Sequence, residues 1–208
     1  MVIGVDIDDV LADLASCLVK FHNEHFGTFL TKEDHSNYDL SKIWGCSKSE
    51  SMERMMKFFE SEQFENVLPL SGAFEGVKAL KEMGNRLFII TSRPHALKEK
   101  TIKWINTHFE GYFDEIYFTG HPATQGAIKK ANLCKELGVE IMLEDCLEVA
   151  FECLEKNISV ILFDSPWNRC VNLPEGIIRV SSWSEILRAL PEIIEAKELF
   201  ALKRSRVK

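Results

Sequence analysis

Short apolar runs alternate with amphipathic stretches along most of the chain. The runs at 2–7, 87–90, 116–118, 141–143 and 160–163 are apolar but for Asp6, as parallel strands covered on both faces tend to be, and they predict one buried sheet. Between them lie patterns of helical period at 73–83, 96–109, 125–137 and 147–156, each stopped at or near a glycine or asparagine: Gly84, Gly111, Gly138 and Asn157. Those residues tolerate the left-handed turn that ends a helix. Strand and helix in alternation predict βαβ units with right-handed crossovers. Beyond the fifth run, 177–180 reads as an edge strand, and Ser182-Trp183-Ser184-Glu185 as a capping box opening a last helix. The fold class is α/β, a Rossmann-like core around a parallel sheet.

One stretch breaks the alternation. Residues 14–70 hold no convincing strand but carry helical stripes, Leu11, Leu14, Ala15 and Leu18 first, then Met52, Met55, Met56 and Phe59. They predict a small helical cap inserted after the first strand, with Pro69 and Ser71-Gly72 marking the return to the core. The expected division is 1–13 and 71–208 as core and 14–70 as cap. The insertion is rich in aromatic residues (Phe21, Phe26, Phe29, Tyr38, Trp44, Phe58, Phe59 and Phe64). A small helical unit needs most of them for its own packing, while one or two could stack on a planar ligand.

Composition narrows the partners. With 208 residues, 46% hydrophobic and 27% charged, the chain can bury an ordinary core. Its 25 basic residues against 32 acidic ones give a net charge of −7, which speaks against a nucleic-acid polymer as partner. The apolar runs are far shorter than the roughly 20 residues of a membrane span, and the start Met1-Val2-Ile3-Gly4 lacks the basic and apolar regions of a secretory signal. No membrane association and a cytoplasmic location are expected. Six scattered cysteines (Cys17, Cys46, Cys134, Cys146, Cys153, Cys170) form no CxxC pair and read as packed thiols. The basic C-terminal tail reads as solvated.

Ligands of a parallel sheet gather beyond the carboxyl ends of its strands. Four such ends are polar here: Asp6, Asp8 and Asp9; Thr91-Ser92-Arg93; Glu144-Asp145; Asp164-Ser165. Strand side chains alternate, so Asp6 and Asp8 at i and i+2 are expected on one side, where two carboxylates call for a cation. With Asp145 as a further acid and no Cys or His at hand, the donor set favours a hard ion such as Mg²⁺. Taken singly, an Asp after a strand is more often a turn former or helix cap. The combination with Thr91 and Asp145 carries the metal reading.

These residues also resemble a family. Asp6-Ile7-Asp8-Asp9-Val10 is similar to the DxDxV/T signature of the haloacid dehalogenase-like superfamily, Thr91-Ser92 to its second motif, Lys130 to its third and Glu144-Asp145 to its fourth. The finer pattern, DIDDVLADL, TSRP, KAxLCKELG and LED, resembles the 5′(3′)-deoxyribonucleotidase branch and its bacterial and phage nucleotidases. The resemblance implies Asp6 as nucleophile and Asp8 as general acid and base. It implies Mg²⁺ on the Asp6 carboxylate, the Asp8 carbonyl and Asp145, and phosphate held by Thr91, the Ser92 N–H and Lys130. The implied substrate is a nucleoside monophosphate, and the implied assembly a monomer or homodimer. Asp9 departs from the pattern, since many relatives carry glycine there. Lys129 is the second choice for the lysine. Glu144 reads equally as a supporting acid or a plain strand end, Arg93 as a partner of an acid or of the substrate, and His22 and His25 as packing or surface residues. Two rivals remain: a phosphatase of a sugar phosphate or other small metabolite, and a non-catalytic phospholigand-binding module, against which the Asp8 acid argues.

Overall fold

The computed structural model describes residues 1–120, 126–169, 172–191 and 193–194. Six strands, β1 (Val2–Val5), β2 (Arg86–Thr91), β3 (Glu115–Phe118), β4 (Ile141–Glu144), β5 (Ser159–Phe163) and β6 (Ile177–Val180), form one sheet in the order β3-β2-β1-β4-β5-β6. Every pairing is parallel. The chain runs outward from β1 through β2 to β3, then returns to lay β4 on the other side of β1. The strand order therefore reverses between β1 and β4, and in parallel sheets ligands gather at the strands' carboxyl ends beside such a reversal.

Period-two alternation divides the strand residues between two apolar layers. Ile3, Val5, Leu87, Ile89, Ile141, Leu143, Ile161 and Phe163 face α5 (Ala73–Glu82), α6 (Lys98–Phe109) and a terminal helix α9 at 183–191, whereas Phe88, Ile90, Met142, Val160 and Leu162 face α7 (Lys130–Glu136) and α8 (Leu147–Glu155). Gly4 is the small residue of the central strand for a steric reason: a Cβ there would stand 2.7 Å from Met142 Sδ.

Between β1 and β2 the chain forms α1 (Leu14–Phe26), a 3-10 turn (Lys32–Asp34), α2 (Leu40–Trp44), α3 (Lys48–Glu60) and α4 (Glu62–Glu65). The two ends of this insertion meet as a short antiparallel neck, with Asp13 N donating to Leu68 O at 3.0 Å and Leu70 N to Leu11 O at 2.8 Å. Its apolar residues Leu18, Phe21, Trp44, Phe58, Phe64 and Val67 join the same buried cluster as Ile3 and Val5.

Several expectations need correction. The first strand stops at Val5, because Val10, Leu11 and Ala12 all donate to Ile7 O and turn the chain. The helix expected over 125–137 begins at Lys130: Gly126 is left-handed (φ 86°) and Lys129 is extended, so neither can carry helix, while Gln125 lies outside the described residues. In α3 the inward face is Met55, Phe58 and Phe59, and Met52 and Met56 are exposed. Phe58 packs against Phe21 and Phe64, and that contact sets the rotation of the helix. At α9 the Glu185 carboxylate accepts from Ser181 N at 2.7 Å, one residue earlier than a capping box requires, and the Ser182 hydroxyl pairs with Ser184 instead. Cys17, Cys46, Cys134, Cys146 and Cys153 are free thiols; Cys170 and the basic tail lie outside the described residues. Among the described residues no helix is long and apolar enough to cross a membrane.

Candidate active site

Three buried acids converge where the strand order reverses. Asp6 follows β1 and is tied to β4 by its amide, which donates to Leu143 O at 3.0 Å. Glu144 ends β4 and Asp145 follows it. The three carboxylates each offer an oxygen within 4.8 Å of the others, and all three residues are at least nine-tenths buried. Lys130, the first residue of α7 and also buried, reaches between them, its Nζ 3.1 Å from Asp6 Oδ1 and 2.8 Å from Glu144 Oε2. Lys129 is exposed and pairs with Glu152 on the surface, so the structure brings Lys130, and not its neighbour, to Asp6.

The electrostatics of the cluster are unbalanced. Among the described residues three carboxylates face one ammonium, leaving two formal negative charges in a buried place. Burial raises Asp6 above the usual carboxylate range, against the pull of Lys130 and with Glu144 and Asp8 adding to it. Burial, then Glu144 and Asp6, raise Asp145 well above that range. Lys130 goes up as well: burial works against its charge, but Asp6 and Glu144 outweigh it. Asp6 Oδ1 is buried without a hydrogen bond of good geometry. One divalent cation would cancel the excess charge, satisfy that oxygen and reverse the upward shifts. The donors are all carboxylate oxygens; the nearby Cys146 thiol is held protonated by burial. The set therefore fits a hard, oxygen-seeking ion.

Glu144 thus belongs to the cluster, which left-to-right reading of the chain leaves open. The Asp8 carboxylate does not, contrary to the expectation that it would lie against Asp6. Because β1 ends at Val5, strand alternation no longer governs Asp8, whose carboxylate turns to Arg93. The guanidinium holds it with Nε at 3.1 and 3.0 Å from the two oxygens and Nη2 at 2.6 Å from Oδ1. Arg93 is itself fixed by Thr101, 3.2 Å from Nη1, and lies over the Phe64 ring at 5.0 Å.

Thr91 ends β2, two residues beyond the Val5–Ile89 pair and so at the same end of the sheet. It is fully buried, and its hydroxyl accepts from Arg93 N at 3.2 Å. Ser92 Oγ lies 3.4 Å from Thr119 Oγ1. Asp9 stands apart from the acid cluster. At φ 54° it occupies the left-handed conformation that glycine adopts freely, and its carboxylate caps α1 through Ala15 N and pairs with Lys32 at 2.9 Å. Asp164 also lies outside the cluster, paired with Arg169 and Arg179.

Asp145 has partners that the sequence does not announce. Its Oδ2 accepts from Trp167 Nε1 at 2.9 Å and from Tyr38 Oη at 3.2 Å, and its carbonyl from Asn168 Nδ2 at 2.7 Å. The one local signal was the polar pair Asp164-Ser165 after β5, which opens the 3-10 turn Pro166–Asn168 carrying Trp167 and Asn168. Trp44, an aromatic of the insertion with a polar edge, is buried and stacked on His22 with ring centroids 4.4 Å apart; it packs the insertion.

The chain is similar to known proteins in sequence and in fold. The chain is 28% identical over 194 residues to the 5′(3′)-deoxyribonucleotidase of Bacillus subtilis, spanning 91% of this chain and 98% of that one. It is 24% identical over 198 residues to a nucleotidase of Clostridium acetobutylicum, spanning 94% and 96%. In three dimensions it is similar to the haloacid dehalogenase-like hydrolase SP0104 of Streptococcus pneumoniae, with a TM-score of 0.65 and 13% identity over 91% of this chain and 97% of that one, a likeness of fold. Residues 1–199 match the model of the family described as 5′ nucleotidase, deoxy (pyrimidine), cytosolic type C protein, and with nearly its whole length matched the chain belongs to that family of haloacid dehalogenase-like nucleotidases.

Proposed function

We propose that this hydrolase cleaves the phosphomonoester of a nucleoside monophosphate through an aspartyl-phosphate on Asp6, with Mg²⁺ as its cation. The observation that carries the reading is the convergence of Asp6, Lys130, Glu144 and Asp145 at the reversal of strand order. Mg²⁺ would be held by the carboxylates of Asp6 and Asp145 and the carbonyl of Asp8, with Glu144 supporting through Lys130. When bound it would offset charge on the phosphoryl oxygens.

This chain's own residues supply the rest. An Asp6 oxygen attacks phosphorus as the bond to the leaving oxygen breaks, and Asp8 gives that oxygen its proton. Water then attacks the phosphorus of the aspartyl-phosphate, passing its proton to Asp8, and phosphate and the Asp6 carboxylate are released. Thr91, the Ser92 amide and Lys130 hold the phosphoryl oxygens, since phosphoryl transfer depends mainly on positioning and charge neutralisation.

The insertion at 14–70 acts as the cap that meets the leaving group. Tyr38 supports this reading: among the described residues it is the aromatic of the insertion that bonds to an acid of the cluster, and the residue is 49% exposed. We place the reaction in the cytoplasm, in keeping with free thiols at five positions. Phosphate release from a panel of 5′- and 3′-nucleoside monophosphates and sugar phosphates, with and without Mg²⁺, tests the reading. Turnover confined to nucleotides and dependent on Mg²⁺ is the expected result; turnover of sugar phosphates alone would replace the substrate assignment.

A further inference from the structure

The Asp145 carboxylate is gripped from two sides of the molecule. Trp167 comes from the 3-10 turn after β5, and that turn is built firmly. Asn168, fully buried, donates through Nδ2 to both Asp145 O and Phe163 O at 2.7 Å. Arg179 on β6 donates through Nη2 to Asn168 O at 2.7 Å, and through Nη1 to Asn168 Oδ1 and to Asp164 Oδ1. The indole therefore sits on a short turn pinned to two strands, and its N–H is aimed at Asp145 Oδ2 at 2.9 Å. Tyr38 comes from the other side, in the segment between the first 3-10 turn and α2 of the insertion. Its hydroxyl lies 3.2 Å from both Oδ2 and the carbonyl of Asp145, and its ring lies 5.8 Å from that of Trp167. A second tie, Arg169 to Glu33, joins the same turn to the same part of the insertion.

Both donors use one oxygen. Among the described residues Oδ1 of Asp145 accepts no hydrogen bond, so it keeps its lone pairs for another partner. A carboxylate whose far oxygen is anchored has its near oxygen fixed in direction, and such outer partners commonly matter 10- to 100-fold to the affinity of a metal site.

We propose that Tyr38 and Trp167 are positioning residues that aim Asp145 Oδ1 at the cation, and that Tyr38 thereby links the seating of the insertion to cation binding. The proposal rests on the assignment of the acid cluster as a Mg²⁺ site. Linkage is reciprocal: if a seated Tyr38 favours the cation, the cation favours a seated Tyr38.

Tyr38→Phe and Trp167→Phe each remove one donor and keep an aromatic ring. Mg²⁺ binding to the purified chain, measured by calorimetry without substrate, is expected to weaken about 10- to 100-fold in each variant, with unchanged circular dichroism. Hydrogen exchange of the segment 36–40 should slow on adding Mg²⁺ to the native chain and respond less in Tyr38→Phe. Native affinity in both variants, from a chain that itself binds Mg²⁺, overturns the positioning role while leaving the metal site intact. If the native chain binds no Mg²⁺, the metal assignment fails first and this proposal with it. Equal Mg²⁺-induced slowing of exchange in native and Tyr38→Phe chains overturns the linkage.

Discussion

Arg93 grips the carboxylate of Asp8 with two nitrogens, Nε at 3.1 and 3.0 Å and Nη2 at 2.6 Å. Such a pair fixes both position and charge. It also presents a requirement, because in the proposed mechanism the Asp8 carboxyl must leave the guanidinium to reach the leaving oxygen. Substrate binding is expected to loosen the pair, and Arg93 to act through Asp8.

Arg93→Met should then lower kcat/KM for a nucleotide by roughly 100-fold, the scale of a misplaced catalytic group. The loss should be much smaller for p-nitrophenyl phosphate, whose leaving group needs no proton. Steady-state kinetics on the two substrates checks this; equal losses on both would show that Arg93 serves the phosphoryl group instead.

Adjacent lysines should behave very differently. Lys130→Met strips from Asp6 and Glu144 the one ammonium that pairs with them among the described residues, and breaking a buried ion pair from one side costs about 3–5 kcal/mol. Activity should fall by at least 100-fold and the urea midpoint should drop, with Mg²⁺ recovering part of the stability. Lys129→Ala removes only a surface pair with Glu152 and should leave both quantities within error of the native chain.

Cation removal should be visible in stability alone. Three buried acids and one lysine carry excess negative charge, so the folded state should bind Mg²⁺ far better than the unfolded one. At a hundred times the dissociation constant, mass action contributes about 2.7 kcal/mol. Melting curves with Mg²⁺ and with a chelator should differ by several degrees, and Asp145→Ala should shrink the difference.

The insertion carries its own acid sensitivity. His22 is fully buried, its Nδ1 is 2.8 Å from Thr28 Oγ1 and its Nε2 2.9 Å from Arg54 Nη1, an arrangement satisfied by the neutral ring protonated at Nδ1. Burial, then Arg54 and His35, push its pKa down to about 4 from 6.5. Between those values the unfolded chain binds a proton that the folded chain refuses, so this contribution to stability is present above pH 6.5 and lost as pH falls towards 4. Urea midpoints across that range should decline more steeply for the native chain than for His22→Gln. Parallel slopes would remove His22 as the cause.

The positions of the candidate site were legible because they depend on local rules. Buried parallel strands leave unbroken apolar runs, and the residues just past those runs, Asp6, Thr91 and Glu144-Asp145, must fall at the carboxyl edge of the sheet in any parallel fold. The insertion was legible for the opposite reason, as the stretch where strand runs are missing. Side-chain partnerships were not legible, because beyond a strand end the backbone is free to turn and period two no longer assigns a direction. Asp8 was expected against Asp6, yet the turn closed on Ile7 O sends its carboxylate to Arg93, 85 residues away. Trp167 and Tyr38 meet on Asp145 although one follows β5 and the other lies in the insertion. Packing also chose the face of α3, turning Met52 and Met56 outward and Phe58 inward. Strand ends follow from near neighbours in the chain, whereas these pairings exist only once elements distant in sequence share one interior, and there the balance of burial against charge decides which donor reaches which acid.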